Sequence, residues 1–422
     1  MFPVFCPTIR VKNRLPYIGG FVFFITTLFC FSSLKAQGNF SFENHKTQYF
    51  LPFKFTRNLI IIPLMINNQG PYNFIFDTGA SIMIFTNPDL PQKLGLHSTK
   101  AILVKGFGSS NDVEAQIITG LSLKIGPISG KGFSAAVLPE GILEFSNYVG
   151  MPIDGMIGYD LVKDLRLKIN FNTSQIKFEN PEKSFDRKLY KSFPLEINNN
   201  QALIKATASL KGAILNMKLV LDTGGGNTVF IDPRSLNNLK IPQNSPKSTL
   251  GWGLTGMIDG KISRLDYLNL NGIIIQKVIC AFPVYPDSVK NQKGLNGNGN
   301  LGNEILRRFN VVIDYPNRRF YLKSQAILQS PFDYDMSGLN ITAYGDSYQR
   351  FLVSSIDPGS PADKAGIKEG DLILTIDDLP SNQYNLGELD FLFKSRDNRK
   401  VSLSLYREGQ FIEAVMILKR RV

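Results

Sequence analysis

The chain contains the tripeptide Asp-Thr-Gly twice, each time directly after a run of apolar residues. The first copy is Asp77-Thr78-Gly79 and the second is Asp222-Thr223-Gly224, 145 positions later. An internal repeat of this length indicates two copies of one folding unit. The sequence therefore predicts two equivalent lobes, each carrying one aspartate.

Two further landmarks repeat at nearly the same distance. Gly106-Phe107-Gly108 corresponds to Gly251-Trp252-Gly253 at the same offset of 145. The segment 154–161 corresponds to 298–305 at an offset of 144. The order of the landmarks is preserved with one residue of drift, so the duplicated unit extends well beyond the tripeptide.

Short apolar strand patterns surround both copies. Residues 72–76 and 215–221 are predicted strands that lead directly into Asp77 and Asp222. Further strands are predicted at 40–42, 49–55, 59–66 and 202–210, with turns rich in Asn and Gly between them. Many short strands with few helical periods indicate a mostly β body of two lobes.

The repeated pattern resembles a known family. Each copy resembles one lobe of a retropepsin-type aspartyl protease. The resemblance lies in the order of its parts, which is an apolar residue, Asp-Thr-Gly, a glycine-rich hairpin, and then two apolar residues before a glycine. Because this chain carries the pattern twice, it resembles a bacterial single-chain, two-lobed member of the retropepsin-like clan over about residues 40–325. The resemblance implies two β lobes with the active site between them.

The resemblance gives the paired aspartates a chemistry. Two carboxylates about 3 Å apart share one proton, so the ionised member can take a proton from water while the protonated member hydrogen-bonds the substrate carbonyl. Asp77 and Asp222 are expected to be this pair. Their expected supports are Thr78, Gly79 and Ser81 in the first lobe, and Thr223, Gly224 and Thr228 in the second. The alternative is that both aspartates only cap turns, as Asp-x-Gly often does.

Each supporting residue type has a physical use. Thr78 and Thr223 are expected to hydrogen-bond across the lobe interface, and the glycines let backbone amides approach the carboxylates. The two copies also differ, since Ser81 aligns with Gly226. Hydroxyl support of Asp77 from Ser81 then has no counterpart beside Asp222, and Thr228 is the candidate substitute. Two consecutive glycines, 225 and 226, are expected to loosen the second loop, which leaves a weakened second half as an open alternative.

The Gly-aromatic-Gly segments are predicted to be flap tips. Gly106-Phe107-Gly108 and Gly251-Trp252-Gly253 each place one aromatic residue between glycines, which suits a hairpin that bends over a substrate and reopens. The alternative is two ordinary hairpin turns with packed aromatic side chains.

The last ninety residues form a separate module. Residues 351–356 are a predicted strand, and Gly-Ser-Pro-Ala at 359–362 and Gly-Asp at 370–371 resemble a bacterial PDZ domain over about 333–420. Such α+β domains bind an extended peptide as an added strand and often hold its terminal carboxylate in backbone amides. The resemblance places the peptide-binding residues at Gly338, Leu339, Asn340 and Ile341.

The N-terminus is predicted to be an export signal. Three basic residues precede an apolar run at 17–34, and Ala36 offers a cleavage site before Gln37. The protein would then be periplasmic or secreted. The alternatives are an uncleaved membrane anchor, because the run is about long enough to cross a bilayer, and, with less support, a lipoprotein at Cys30. The expected domains are a signal peptide (1–36), lobe 1 (37–182), lobe 2 (183–327) and a PDZ domain (328–422).

Composition narrows the remaining function classes. The formal charge is +12, yet the basic residues are scattered, so nucleic-acid binding is not expected. Two histidines are poor material for a zinc site or a serine triad, and neither a cofactor nor a metal is expected. The sequence thus predicts an aspartic endopeptidase that cuts extended peptide segments, with a PDZ domain for a C-terminal peptide of substrate or partner. The alternatives are an inactive protease-like scaffold that binds peptides, and a protease restricted to one partner or to itself.

Overall fold

The computed structural model describes residues 38–104, 113–237, 239–254, 256–285 and 296–422. The expected leader at 1–36 and the expected flap tip Gly106-Phe107-Gly108 lie outside the described residues. In the described ranges, no helix has both the length and the apolar character that a membrane span requires.

The first lobe is built almost entirely from strands. Its elements are β1 (Ser41–Phe42), β2 (Gln48–Pro52), β3 (Lys54–Thr56), β4 (Leu59–Ile66), β5 (Gln69–Phe76), β6 (Met83–Phe85), α1 (Leu90–Lys93), β7 (Lys100–Val104), β8 (Val113–Ile125), β9 (Ile128–Val137), α2 (Phe145–Val149), β10 (Gly155–Ile157), α3 (Tyr159–Val162), β11 (Arg166–Asn170) and β12 (Gln175–Glu179). Within the described residues, nine of these strands form one sheet in the order β1-β9-β6-β10-β5-β4-β8-β7, with β3 on β4. Since β8 also pairs with β9, the sheet curls back on itself around an apolar core.

The second lobe repeats this plan. Its elements are β13 (Lys191–Pro194), β14 (Glu196–Asn198), β15 (Gln201–Leu210), β16 (Ala213–Leu221), β17 (Val229–Ile231), β18 (Lys247–Gly253), β19 (Gly256–Arg264), β20 (Tyr267–Leu270), β21 (Ile273–Gln276), β22 (Ile279–Pro283), β23 (Gly299–Leu301), α4 (Asn303–Leu306), β24 (Phe309–Asp314) and β25 (Arg319–Ser324). As far as this lobe is described, its main sheet has ten strands in the order β18-β19-β22-β17-β23-β16-β15-β20-β21, with β14 on β15.

The internal repeat of the sequence is also a repeat of the topology. In the first lobe β10 lies parallel to β5, the strand that leads to Asp77. In the second lobe β23 lies parallel to β16, the strand that leads to Asp222. Each aspartate therefore follows a central strand that is buried between its neighbours.

A smaller sheet joins the two lobes. Its order among the described strands is β13-β25-β24-β11-β12-β2, and β11 of the first lobe pairs with β24 of the second. The Arg166 side chain, buried at this junction, donates from Nε to Asp314 Oδ2 at 2.7 Å. The segment 49–55, predicted as one strand, is divided at Phe53, because β2 pairs with β12 in this shared sheet whereas β3 pairs with β4.

The C-terminal domain has its own core and sheet. Its elements are β26 (Leu339–Tyr344), β27 (Arg350–Ile356), α5 (Pro361–Lys364), β28 (Leu372–Ile376), β29 (Leu379–Pro380), α6 (Leu386–Phe393), β30 (Lys400–Arg407) and β31 (Gln410–Ile417). The strand order is β26-β27-β28-β30-β31, with β29 on β28, so β26 is an edge strand in the part of the chain that the structure describes. Helix α6 packs beside this edge. The mostly β, two-lobed body with an α+β C-terminal domain confirms the predicted fold class.

Candidate active site

The two Asp-Thr-Gly loops meet between the lobes. Asp77 follows β5 and its amide donates to Ile157 O at 2.9 Å, at the end of β10. Asp222 follows β16 and its amide donates to Leu301 O at 3.1 Å, at the end of β23. Both aspartate side chains are 0% exposed. The duplicated strands thus bring the two carboxyls to one buried place.

The two threonines form a reciprocal set of hydrogen bonds across the interface. The Thr78 amide donates to Thr223 Oγ1 at 2.9 Å, and the Thr223 amide donates to Thr78 Oγ1 at 3.1 Å. Each hydroxyl then donates to the opposite strand, Thr78 to Leu221 O and Thr223 to Phe76 O, both at 2.7 Å. The expected contacts across the interface are present, and they fix the separation of the loops because every buried partner is satisfied.

The donors to the two carboxyls are unequal. Asp77 Oδ1 accepts the Gly79 amide at 2.7 Å and the Gly224 amide at 3.3 Å. Asp222 Oδ2 accepts the side-chain amide of Asn300 at 2.6 Å. The remaining oxygens, Asp77 Oδ2 and Asp222 Oδ1, have no donor among the described residues. The two carboxyls lie within hydrogen-bonding reach of each other. Since carboxylate oxygens only accept, a shared proton is what can join them.

Burial raises the pKa of both aspartates. Desolvation raises the pKa of Asp77 to about 6, against the opposing effect of the Gly79 and Gly224 amides, which stabilise its charge. Desolvation, together with the neighbouring negative charge of Asp77, raises the pKa of Asp222 well above its ordinary value. Because Asp77 has the two backbone donors, it is the member that ionises first, and Asp222 keeps the proton.

Close backbone approach explains the glycines around the pair. A Cβ on Gly224 would lie 2.2 Å from Asp77 Cγ, so only glycine lets this loop approach the carboxyl. A Cβ on Gly158 would lie 1.9 Å from Asp77 O, and one on Gly302 would lie 2.3 Å from Asn227 O. The repeated glycines after β10 and β23 therefore allow the chain to cross directly behind the active loops.

Two of the expected supports are directed elsewhere. The Ser81 hydroxyl donates to Asn199 O at 2.8 Å, and the Thr228 hydroxyl donates to Ile279 O. Neither hydroxyl donates to Asp77 or Asp222, because each one donates instead to a backbone carbonyl of a strand or turn that packs on its loop. The expected roles of Ser81 and Thr228 beside the aspartates are thus wrong.

The second loop is also anchored where its glycines suggested looseness. Gly225 O accepts the Asn303 amide at 2.8 Å, and Gly226 O accepts the Asn58 side chain at 2.9 Å. A Cβ on Gly226 would lie 2.9 Å from Arg57 O. Glycine at 226 therefore makes room for a turn of the opposite lobe.

Asn300 is the site residue that sequence reasoning missed. It lies on β23, at the place that Met156 occupies on β10 in the first lobe. The signal was a polar residue on a short strand whose counterpart is apolar. The Asn300 side chain is 0% exposed and its amide is directed at Asp222, so it supplies the side-chain support that the duplication itself does not.

The second expected flap is a hairpin of β18 and β19. Gly251 has φ +143°, and the pairing of the two strands shifts register between Thr249 and Gly251, so the strand is bent where glycine is needed. Leu254, 5% exposed, belongs to an apolar cluster of the first lobe that contains Ala80. The hairpin therefore reaches across to the opposite lobe. The structure does not describe the side chain of Trp252.

The C-terminal domain holds the base of the same hairpin. Asp357 Oδ2 accepts the Ser248 hydroxyl at 2.6 Å, and Asp357 Oδ1 accepts the Thr249 amide at 3.0 Å. Arg421 Nη1 donates to the same carboxylate at 2.6 Å. These buried, charge-assisted contacts connect the domain to β18.

The loop expected to hold a peptide carboxylate is internally satisfied. The amides of Ser337 and Gly338 donate to Asp335, and the Leu339 amide donates to Ser337 Oγ at 2.9 Å. Asn340 Nδ2 donates to Ser355 Oγ at 3.0 Å. Asp335 thus occupies the position that the resemblance gave to a ligand carboxylate.

Comparisons with known proteins find two family models that match segments of the chain. Residues 62–161 match the family model for aspartyl protease, and residues 352–407 match the model for a PDZ domain. The C-terminal processing peptidase, chloroplastic, of Tetradesmus obliquus is 30% identical over 109 residues, 25% of this chain. This chain spans 24% of the length of that relative.

Two solved structures are similar over part of the chain. The photosystem II D1 C-terminal processing protease is 27% identical, with a TM-score of 0.19, over 21% of this chain and 23% of that one. Basic 7S globulin from soybean is 11% identical, with a TM-score of 0.37, over 66% of this chain and 95% of that one. The family matches thus cover one segment of the first lobe, which is similar to aspartyl proteases, and one segment of the C-terminal domain, which is similar to PDZ domains.

Proposed function

We propose that this chain is an aspartic endopeptidase that cuts extended peptide segments with one activated water. The observation that carries the proposal is the pair of buried carboxyls, Asp77 and Asp222, brought together by two equivalent loops. Their protonation is unequal, so an acid and a base are present at the same time.

The unequal donors assign the roles. Ionised Asp77 takes a proton from the water molecule while the water oxygen attacks the scissile carbonyl carbon. At the same time, protonated Asp222 gives its proton to the carbonyl oxygen. The product is a gem-diol. Asp77 then returns its proton to the leaving nitrogen, the C–N bond breaks, and a gem-diol hydroxyl returns a proton to Asp222. Asn300 is a positioning residue that holds Asp222 Oδ2 throughout.

The other parts of the chain have supporting roles in this proposal. The β18–β19 hairpin is the flap of the second lobe. The C-terminal domain binds an extended peptide of a substrate or partner, as PDZ domains do in general. Positions 1–36 direct export, and N-terminal sequencing of the exported protein would test cleavage before Gln37.

The test is cleavage of a diverse library of unstructured peptides, read by mass spectrometry from about pH 3 to 8, a range that spans the split titration of a carboxyl pair. The parent is compared with Asp77→Asn and Asp222→Asn, which keep side-chain shape and remove one titrating group each. Cuts by the parent that both variants lose are expected. Cuts that persist in either variant at the parent's rate would contradict the shared role, and a folded parent that cuts nothing would favour a peptide-binding scaffold.

A further inference from the structure

A groove lies between the edge strand β26 and helix α6 of the C-terminal domain, and the first lobe fills it. We call it the β26–α6 groove. The side chain that enters it is Arg57, from the turn between β3 and β4, and this side chain is 7% exposed. Arg57 Nη1 donates to Ile341 O of β26 at 2.9 Å, and Nε and Nη2 donate to the Asp390 carboxylate of α6 at 2.9 and 2.7 Å.

The contacts fit a guanidinium specifically. The two bonds to Asp390 are a bidentate pair, which a planar guanidinium makes and an ammonium does not. Arg57 Nη1 also donates to Tyr148 O at 3.1 Å, and its Cζ lies 4.4 Å from the centroid of the Tyr148 ring. One arginine therefore joins both walls of the groove while stacking on an aromatic ring.

The chain beside Arg57 completes the filling. Helix α2 packs against β26, and Gly150, at its C-terminal end, lies between the walls. A Cβ on Gly150 would lie 3.2 Å from Leu386 of α6 and 3.8 Å from Ala343 of β26. The position where an added peptide strand would lie is thus taken by the first lobe.

The hairpin turn that contains Arg57 differs in sequence from the equivalent turn of the second lobe. Arg57 and Asn58 form a two-residue hairpin turn with φ of +47° and +59°. Asn and Gly are the residues favoured at such positions, and long side chains such as Lys211 and Glu408 also occupy them in this chain. The equivalent turn of the second lobe is Asn199-Asn200, with φ of +48° and +63°. Arginine replaces the locally favoured residue only in the copy that faces the C-terminal domain.

We infer that the β26–α6 groove is an arginine-selective peptide site for which Arg57 is the resident, intramolecular ligand. An extended peptide whose arginine reaches Asp390 and Ile341 O replaces Arg57. This inference rests on the peptide-binding half of the proposed function. A terminal carboxylate adds little, because Asp335 already accepts the amides of Ser337 and Gly338.

Room for the incoming peptide is present at the mouth of the groove. An open cavity of about 1070 Å³ is lined by Arg57 and Gly150 of the first lobe and by Tyr348, Leu386 and Phe391 of the C-terminal domain. Phe391 is a largely exposed aromatic on α6. An extended chain can therefore approach from this cavity before Arg57 leaves.

Displacement of Arg57 reaches the second active loop. Asn58, the next residue, donates to Gly226 O, and Asn303 Nδ2 bonds both Asn58 O and Thr223 O at 2.7 Å. These contacts form a continuous connection from the groove to the loop of Asp222. Peptide capture is thus expected to loosen the Gly226 contact.

The experiment measures binding without cleavage, in the full chain carrying Asp77→Asn. Labelled peptides differ at one residue, which is arginine, its neutral isostere citrulline, or alanine, and each is made with a free and an amidated C-terminus. The dissociation constant measured by fluorescence anisotropy is expected to be about tenfold lower for the arginine peptide than for the citrulline peptide. Amidation of the C-terminus is expected to change it little. Equal binding of the arginine and alanine peptides would overturn the inference.

The decisive variants act in opposite directions. Arg57→Asn reproduces the Asn-Asn turn of the second lobe and removes the competitor, so the arginine peptide is expected to bind about tenfold more tightly. Asp390→Asn is expected to abolish the preference for arginine over citrulline. Lys211→Asn, the same type of change at an exposed left-handed turn (φ +51°), is the matched control and should change nothing. A folded Arg57→Asn chain with unchanged or weaker binding would refute the resident-ligand role.

Hydrogen exchange on the same samples tests the connection to the active loop. Saturating arginine peptide is expected to speed exchange at positions 224–227, and citrulline peptide at equal concentration is not. An unchanged exchange rate at positions 224–227 would refute the proposed connection between the β26–α6 groove and the loop of Asp222. Because no arm requires cleavage, these outcomes are independent of whether the dyad is catalytic.

Discussion

The buried aspartate pair should destabilise the protein at neutral pH, and removing one charge should show it. The pKa of Asp77 rises from an ordinary 3.8 to about 6. The folded state therefore holds the proton more tightly than the unfolded state, and stability falls as pH rises from about 4 to above 6. A shift of this size corresponds to about 3 kcal/mol. Asp77→Asn keeps the side-chain shape and removes the charge, so at pH 7 it should be more stable than the parent by about that amount.

Thermal unfolding followed by circular dichroism at pH 4 and pH 7 measures this difference. The expected rise in Tm at pH 7 is about 5 °C for a body of this size, shrinking to near zero at pH 4. Asp266→Asn is the control of opposite sign, since the Gly212 amide and the Ser209 hydroxyl lower the pKa of Asp266. The charged form of Asp266 therefore contributes to the stability of the folded state at neutral pH, and this contribution is lost as the pH falls. The reasoning would be refuted if the Asp77→Asn chain were less stable than the parent at pH 7, or if its Tm differed from that of the parent by the same amount at pH 4 and pH 7.

Three further predictions concern the neighbours of the pair. Asn300→Met copies the residue of the first lobe and removes a donor to the charged form of Asp222, so the pKa of Asp222 should rise. The alkaline limb of the profile of kcat/KM against pH should then move to higher pH, and a limb that does not move would contradict the positioning role of Asn300. Thr223→Val removes the donor to Phe76 O and the acceptor of the Thr78 amide, and should lower the free energy of unfolding in urea by about 2–4 kcal/mol, whereas Thr223→Ser should lose far less. Gly224→Ala places a Cβ 2.2 Å from Asp77 Cγ and should reduce kcat/KM at least about 100-fold in the peptide assay; near-parental activity would show that the loop can move aside.

The sequence predicted the parts of the site that depend on local pattern and repetition. The apolar strands before Asp77 and Asp222 end where the aspartates begin, and buried parallel neighbours repeat in both lobes. The duplication predicted two equivalent loops, and the resemblance to retropepsin-type proteases implied that their aspartates meet and that their threonines hydrogen-bond across the interface.

The errors arose where the partner is distant in sequence. Ser81 and Thr228 have the right chemistry for supporting a carboxylate, but their hydroxyls bond Asn199 O and Ile279 O, which only the tertiary packing brings near. Asn300 was hidden because its counterpart in the repeat is Met156. Repetition predicts what two lobes share, and Asn300 supports Asp222 through a difference between them.

The contacts of the C-terminal domain could not be predicted for the same reason. The Arg57 guanidinium meets Asp390 more than three hundred positions away. Its only local trace is an arginine in a turn that favours asparagine, and that trace becomes visible once φ is known.

The pH dependence of kcat/KM for a peptide that the parent cuts is the most direct test of a buried pair that shares one proton. The active form carries one proton on the two carboxyls, so a bell-shaped profile is expected, with an acid limb near pH 6 from Asp77 and an optimum at or above neutrality. Asp77→Asn and Asp222→Asn should each abolish the profile. An acid limb in the ordinary carboxyl range, near pH 4 or below, or activity that survives either substitution, would contradict the desolvated pair as the catalytic group.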